Sequence, residues 1–174
     1  DLQFASTGGW TGEGCFKTLN PNISINSGDN LKIQYDTGDM PLNVDYIEYT
    51  PLLSRLEAEA AIRAGGSKIL NDQTGASGNS TVGYLDKAGA SVSFNALPEA
   101  TLMLIRYSSI NTGKISIYLN NTHIQDMEFV STGNWKGIGC FHTISLNISI
   151  NSGDNLKIQY DTGDMPLNVD YIEY

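Results

Sequence analysis

Three carboxylates stand out for the company they keep. Glu57 and Glu59 lie two residues apart in RLEAEA, and Asp170 interrupts the apolar run LNVDYIEY. If RLEAEA is a strand, Glu57 and Glu59 share one side while Leu56, Ala58 and Ala60 face the other. Two adjacent carboxylates repel unless solvent or a cation lies between them. A solvated face explains the pair as readily as a metal site does. The metal reading points to Ca2+, which takes several oxygen ligands and would need a further carboxylate from elsewhere. Asp170 is the candidate, because an uncompensated charge in an apolar strand is costly, and first and last strands are often neighbours.

These residues belong to a chain that repeats itself. Residues 1–49 align with 126–174 without a gap, at 39 of 49 positions identical, and 22–49 match 147–174 letter for letter. A period of 125 residues is domain-sized, well beyond the roughly 20–50 residues of solenoid units. The chain therefore divides into three parts: 1–49, the C-terminal part of a preceding module; 50–55, a short connector; and 56–174, a complete module. The first copy lacks the residues that should pair with its strands, so it reads as a window cut from a longer tandem array.

Within the complete module the apolar residues alternate with period two: Leu56, Ala58, Ala60; Val92, Phe94; Leu102, Leu104, Arg106; Ile115, Ile117, Leu119; Ile144, Leu146, Ile148, Ile150; Leu156, Ile158, Tyr160; and Val169, Tyr171, Glu173. Gly-, Asn- and Asp-rich turns separate them, among them NTG at 111–113, NN at 120–121 and DTGDMP at 161–166. Short strands spaced in this way predict an all-β fold, an antiparallel β-sandwich. EAEAAIRA has the alanine content of a helix, but its alternation and the Gly pair that follows favour a strand.

Charge narrows the partners. A net charge of −9 and a pI near 4.4 argue against nucleic acid and anionic membrane surfaces, and suit hard cations. No apolar run approaches the roughly 20 residues of a membrane helix, so membrane insertion is not expected. The N-terminus lacks the basic and apolar regions of a signal peptide, as expected of a mature product or an excised piece. Cys15 and Cys140 occupy the same position in the two copies, so no disulfide forms within one module.

An enzyme is not expected. The chain carries no GxSxG, HExxH, CxxC or P-loop pattern. Glu57 and Glu59 are too close along one strand to flank a glycosidic bond as acid and base. His142 is replaced by Lys17 in the first copy, an exchange a catalytic base would not tolerate.

Five segments in order, LEAE at 56–59, STVGYLDKAGASVSF at 80–94, LIRYS at 104–108, F-x-STG-x-W at 129–135 and D-x-PLNVDYIEY at 164–174, resemble carbohydrate-binding modules of the family 35 type, with family 6 closely related. The resemblance covers 56–174. It implies a jelly-roll β-sandwich with a structural Ca2+ held by Glu57, Glu59 and Asp170, and non-catalytic binding of a polysaccharide or glycan in loops at one end of the sandwich. Tyr84, Trp135 and Asn168 match the sugar site by position, with Asn79 and Asp164 in loops near it. Aromatic faces suit the C–H faces of a sugar ring, and amides and carboxylates suit its hydroxyls. Relatives commonly carry a second aromatic shortly after the tryptophan; this chain reads WKGIGCF, which leaves Phe141 or nothing in that role.

The resemblance implies an extracellular protein, secreted or at the cell surface, whose modules neighbour further copies of themselves. Four N-x-S/T sequons, at Asn22, Asn79, Asn120 and Asn147, are glycosylation candidates, about as many as chance supplies. Asn120 is expected at a hairpin tip and Asn147 on a solvent-facing side. The alternative function is a structural repeat unit of an extracellular fibre, filament or adhesin with a vestigial sugar site.

Overall fold

The computed structural model describes residues 3–21, 23, 25, 29–48 and 53–174; Asn22 and connector residues 50–52 lie outside the described residues. The chain splits into two units, Asp1–Pro51 and Leu52–Tyr174. In the first, the described residues form no helix or strand and almost all are exposed. Alternating apolar residues make a sheet only when a partner strand covers them.

The second unit is a sandwich of two antiparallel sheets. Its strands are β1 (Arg55–Glu57), β2 (Ile62–Ala64), β3 (Lys68–Leu70), β4 (Thr81–Leu85), β5 (Ser91–Phe94), β6 (Ala100–Ser108), β7 (Gly113–Leu119), β8 (Thr122–Phe129), β9 (His142–Ile150), β10 (Leu156–Gln159) and β11 (Leu167–Glu173). One sheet runs β3-β4-β11-β6-β9, with β1 also paired to β11; the other runs β2-β5-β10-β7-β8. Val82, Ile105, Tyr107 and Ile172 from the first sheet meet Val92, Ile117, Met127 and Ile158 from the second in one buried core. Each such side chain contributes about 1.5–3 kcal/mol by leaving water.

Three local departures from simple alternation position the candidate site residues. The first lies in RLEAEA. β1 ends at Glu57, Ala58–Ala60 form a 3-10 turn, and the chain resumes as β2 in the opposite sheet. Glu57 and Glu59 therefore do not share one face of a continuous strand, because the chain changes sheets between them, with Ala58 fully buried at the crossing.

In β6 the phase is the reverse of the Leu102, Leu104, Arg106 set. Met103, Ile105 and Tyr107 fill the core, whereas Leu102 is 38% exposed. Both sets are apolar enough to be buried; Arg106 decides the matter, because its guanidinium has an acidic partner on the outer side of the sheet.

That partner lies in the third departure, in β11. Val169 pairs with Tyr107 and Tyr171 with Arg106, so Asp170 is an extra residue in the ladder. This bulge shifts the pattern by one: Leu167 and Val169 face the core before it, Ile172 after it. Tyr171, expected to continue the inward set, instead turns out beneath the Arg55 guanidinium, 3.8 Å from its ring centre.

Candidate functional site

The bulge aims Asp170 at the loop 71–80. Its side chain is fully buried, forms an ion pair with Arg106, and accepts the Ser77 backbone N–H on both oxygens at 3.0 and 3.2 Å. Arg106 also donates to the Gly75 carbonyl at 2.9 Å and stacks over Phe141 and Tyr171. The Ser77 hydroxyl donates to Glu57 Oε1 at 2.7 Å, and Glu59 Oε1 comes within 3.5 Å of the point where a Cβ on Gly78 would stand. The Ser77–Gly78 turn is thus bordered by all three carboxylates singled out above.

The cluster is short of positive charge. Burial pushes the Asp170 carboxyl up to about 6, against the opposing pull of the Ser77 N–H and Arg106. Burial also raises the Glu59 carboxyl, to which the Glu57 charge adds. Glu57 Oε2, Glu59 Oε2 and Thr81 Oγ1 are buried without a hydrogen-bond partner. Each such atom costs about 1–3 kcal/mol, more when charged. Thr81 precedes Val82, which pairs with Val169, and so stands beside Asp170 across the sheet. Among the described residues, no three His, Cys, Asp or Glu side chains are arranged to hold a metal ion as they stand. The unpartnered oxygens are nevertheless hard donors of the type that Ca2+ accepts.

A second bulge shapes the neighbouring end of the same sheet. Leu85 pairs with Leu167 and Val82 with Val169, so Gly83 and Tyr84 together oppose the single residue Asn168. Tyr84 takes the left-handed conformation, φ 59°, and the residue is 49% exposed. For a bulky residue that conformation costs roughly 1–2 kcal/mol. Asn168 is buried, and its Oδ1 lies only 2.5 Å from where a Cβ on residue 83 would be, so Gly83 is required for the amide to sit there. Asn168 pairs with Ser108, whose hydroxyl donates to the Trp135 carbonyl at 2.8 Å. Tyr84, Asn168 and the half-buried Trp135 are therefore linked through neighbouring residues at one end of the sheet.

The loop 71–80 joins the two clusters. The Thr74 carbonyl accepts the Gly137 N–H at 2.6 Å, tying it to the loop that carries Trp135. Asn79 is exposed in this loop, also left-handed at φ 57°. Phe141 is 8% exposed beneath Arg106 and so offers no platform; Ile138, at 92% exposed, is the apolar residue this loop presents.

Asp164 does not join the group. Its carboxylate is buried, accepting the Ser116 N–H at 3.0 Å, the Ser116 hydroxyl at 2.9 Å and the Asp161 N–H at 2.8 Å. It caps the 161–164 turn against β7, so the loop residue expected near the sugar is a structural one. Of the sequons, Asn120 starts the two-residue β7–β8 turn, where Asn120 and Asn121 both have positive φ; its side-chain N–H donates to Asp154 at 2.7 Å. Asn147 is exposed on β9.

No protein-family model matches the chain. Solved structures settle the fold: a family 35 carbohydrate-binding module from Clostridium thermocellum superposes with a TM-score of 0.59 at 22% identity, over 68% of this chain and 96% of that one. The unit Leu52–Tyr174 has the fold of a family 35 carbohydrate-binding module. A GH87 alpha-1,3-glucanase catalytic domain in complex with nigerose also matches, with a TM-score of 0.58 at 26% identity, over 70% of this chain and 27% of that one. Two curated proteins of Sporosarcina globispora resemble it in sequence. A 1,6-alpha-glucosyltransferase is 29% identical over 143 residues, 78% of this chain, and an isomaltosyltransferase is 32% identical over 122 residues, 67% of this chain. The chain spans 11% of the length of each of these two relatives.

The raised carboxyl of Asp170 gives the family 35 fold a pH dependence with a definite sign. Because the folded protein holds this proton more tightly than the unfolded chain, the stability it contributes is full below pH ~4 and is lost as pH rises towards 6. Urea midpoints in the presence of a chelator should therefore fall more steeply between pH 4 and 6 for the wild type than for Asp170→Asn. Parallel curves would refute the assignment.

Proposed function

We propose that the complete module binds a glycan without catalysing its turnover, and that the glycan is an α-glucan. One observation carries this reading: a strained bulge holds Tyr84 half-exposed, with the Lys68 ammonium 4.9 Å over its ring, opposite the buried Asn168, whose partner Ser108 holds the loop of Trp135. A fold seeking only stability would relax residue 84 or bury its ring; strain kept at an exposed aromatic marks a contact surface. The ring offers a face to the C–H groups of a sugar, and polar side chains near it offer partners for hydroxyls. The α-glucan class is supported by the names of the two transferases it resembles and by the nigerose-bound α-glucanase.

Ca2+ belongs to the same proposal as a structural ion. Glu57, Glu59 and Asp170 would hold it, with Thr81 Oγ1 as a neutral donor, and it would supply the positive charge that the partnerless oxygens lack. The tandem arrangement and an extracellular site of action follow as proposals from the internal repeat and from the polysaccharide nature of the ligand. Among the described residues no helix is long and apolar enough to cross a membrane. Linked copies would raise avidity, since the second contact is intramolecular.

Affinity electrophoresis in dextran, an α-1,6-glucan, tests the reading. The full chain should be retarded, and Tyr84→Gly should bind about tenfold more weakly, the loss of ~1.4 kcal/mol, while keeping or raising its melting temperature because glycine accepts the left-handed conformation freely. Undiminished binding by Tyr84→Gly would remove the ring from the site. For the ion, Ca2+ should raise the melting temperature of the wild type, and Glu57→Gln combined with Glu59→Gln should abolish that rise. A preserved response in the double variant would exclude these ligands.

A further inference from the structure

The two copies differ at ten of their 49 shared positions, and all ten fall within 2–21 of the first copy, corresponding to 127–146 of the second. Exposure alone does not explain this. Asn147, Ser149, Asn151, Ser152, Asn155 and Met165 are exposed as well, and each is the same in both copies.

The contrast is sharpest in the loop that carries the tryptophan, because both copies build it with the same frame. The Ser6 hydroxyl accepts the Gly8 N–H at 3.2 Å, and the Ser131 hydroxyl accepts the Gly133 N–H at 3.1 Å. Thr7 donates to the Gly9 carbonyl as Thr132 does to the Asn134 carbonyl, both at 3.1 Å. The Cys15 N–H reaches the Gly12 carbonyl at 3.2 Å, and the Cys140 N–H reaches that of Gly137 at 3.1 Å. The glycines of the frame keep the same left-handed bends: φ is 90° and 84° at Gly8 and Gly133, and 80° and 83° at Gly14 and Gly139.

On this shared frame three side chains are exchanged: Asn134, whose Oδ1 accepts the Trp135 N–H at 2.8 Å, becomes Gly9, and at the tip Lys136 becomes Thr11 and Ile138 becomes Glu13. In the complete module both tip residues are exposed, Ile138 at 92%; the Lys136 ammonium donates to the Asp72 carbonyl at 3.4 Å, and the bonds of the shared frame use neither side chain. A fixed scaffold with exchanged exposed tips beside a shared aromatic is how a binding loop changes its preference while keeping its fold.

We infer that Lys136 and Ile138 are specificity-determining residues of the complete module. The inference rests on the glycan-binding reading above and adds to it a direction. Lys136 and Ile138 place a cation and an apolar surface next to Trp135, so the complete module accepts an α-glucan bearing anionic substituents. Thr11 and Glu13 at the matching positions remove the cation and add a carboxylate, an exchange that would disfavour an anionic chain when placed on the complete module.

The test compares dextran with carboxymethyl dextran at low salt, using the full chain and its Lys136→Thr/Ile138→Glu variant. Both substitutions are at exposed positions, and an unchanged melting temperature confirms that the fold is retained. The wild-type ratio of affinities, anionic over neutral, should exceed that of the variant by roughly fivefold, and the gap should narrow as salt is added. If the wild type binds and the ratio is the same in both proteins, the tip does not set specificity and the inference fails while glycan binding stands. If the wild type binds neither polymer, the α-glucan reading fails, and this inference falls with it.

Discussion

A single buried carboxylate organises this fold. Asp170 sits at full burial in the last strand, where an ionised group without partners would be strongly destabilising. Its neighbours are arranged to meet that demand: the ladder bulges to turn the side chain outwards, Arg106 reverses the phase of β6 to reach it, and the loop 71–80 bends back to offer the Ser77 N–H. The compensation is incomplete, since two glutamate oxygens and a threonine hydroxyl close by remain without partners. That shortfall, more than the number of acids, makes a cation a physically reasonable addition.

The same demand shapes the end of the sheet proposed to bind a glycan. The loop that caps Asp170 through Ser77 also accepts the Gly137 N–H through Thr74 and the Arg106 guanidinium through Gly75. Anything that strengthens the carboxylate cluster therefore steadies the loop of Trp135 as well. Tyr84 reaches its position by a separate device, the bulge opposite Asn168, so the aromatic surface is held from two sides by irregularities in one sheet. Regular strands build the core, and the breaks in their regularity place the side chains available for binding.

Much of this was legible in the sequence. Alternation in β7, β9 and β10 identified strands whose inward residues are those of the core, and the NN pair marked the β7–β8 turn. Asp170 was recognisable because a charge in an apolar run demands a partner, and the first strand does pair with the last. What alternation could not show was where it fails. The Leu102 and Met103 sets are equally apolar, so only Arg106's need for Asp170 fixes the phase. The bulges at Asp170 and at Gly83–Tyr84 leave no mark in a period-two pattern, and RLEAEA gives no sign that the chain changes sheets within it. Asp164 looked like a loop ligand because Asp in a turn is ambiguous; its inward direction depends on Ser116, 48 residues away. The exposure of Ile138 leaves no mark in its own loop, whereas its exchange for Glu13 in the first copy is legible in the repeat.

The account stands on the claim that Tyr84, Asn168 and the Trp135 loop form the binding surface. Backbone NMR of the full chain titrated with an isomalto-oligosaccharide addresses it most directly. Shift changes concentrated at Gly83–Tyr84, Asn168 and residues 134–138 are the expected result. Changes confined to the opposite sheet, around Tyr118 and Gln159, would contradict it.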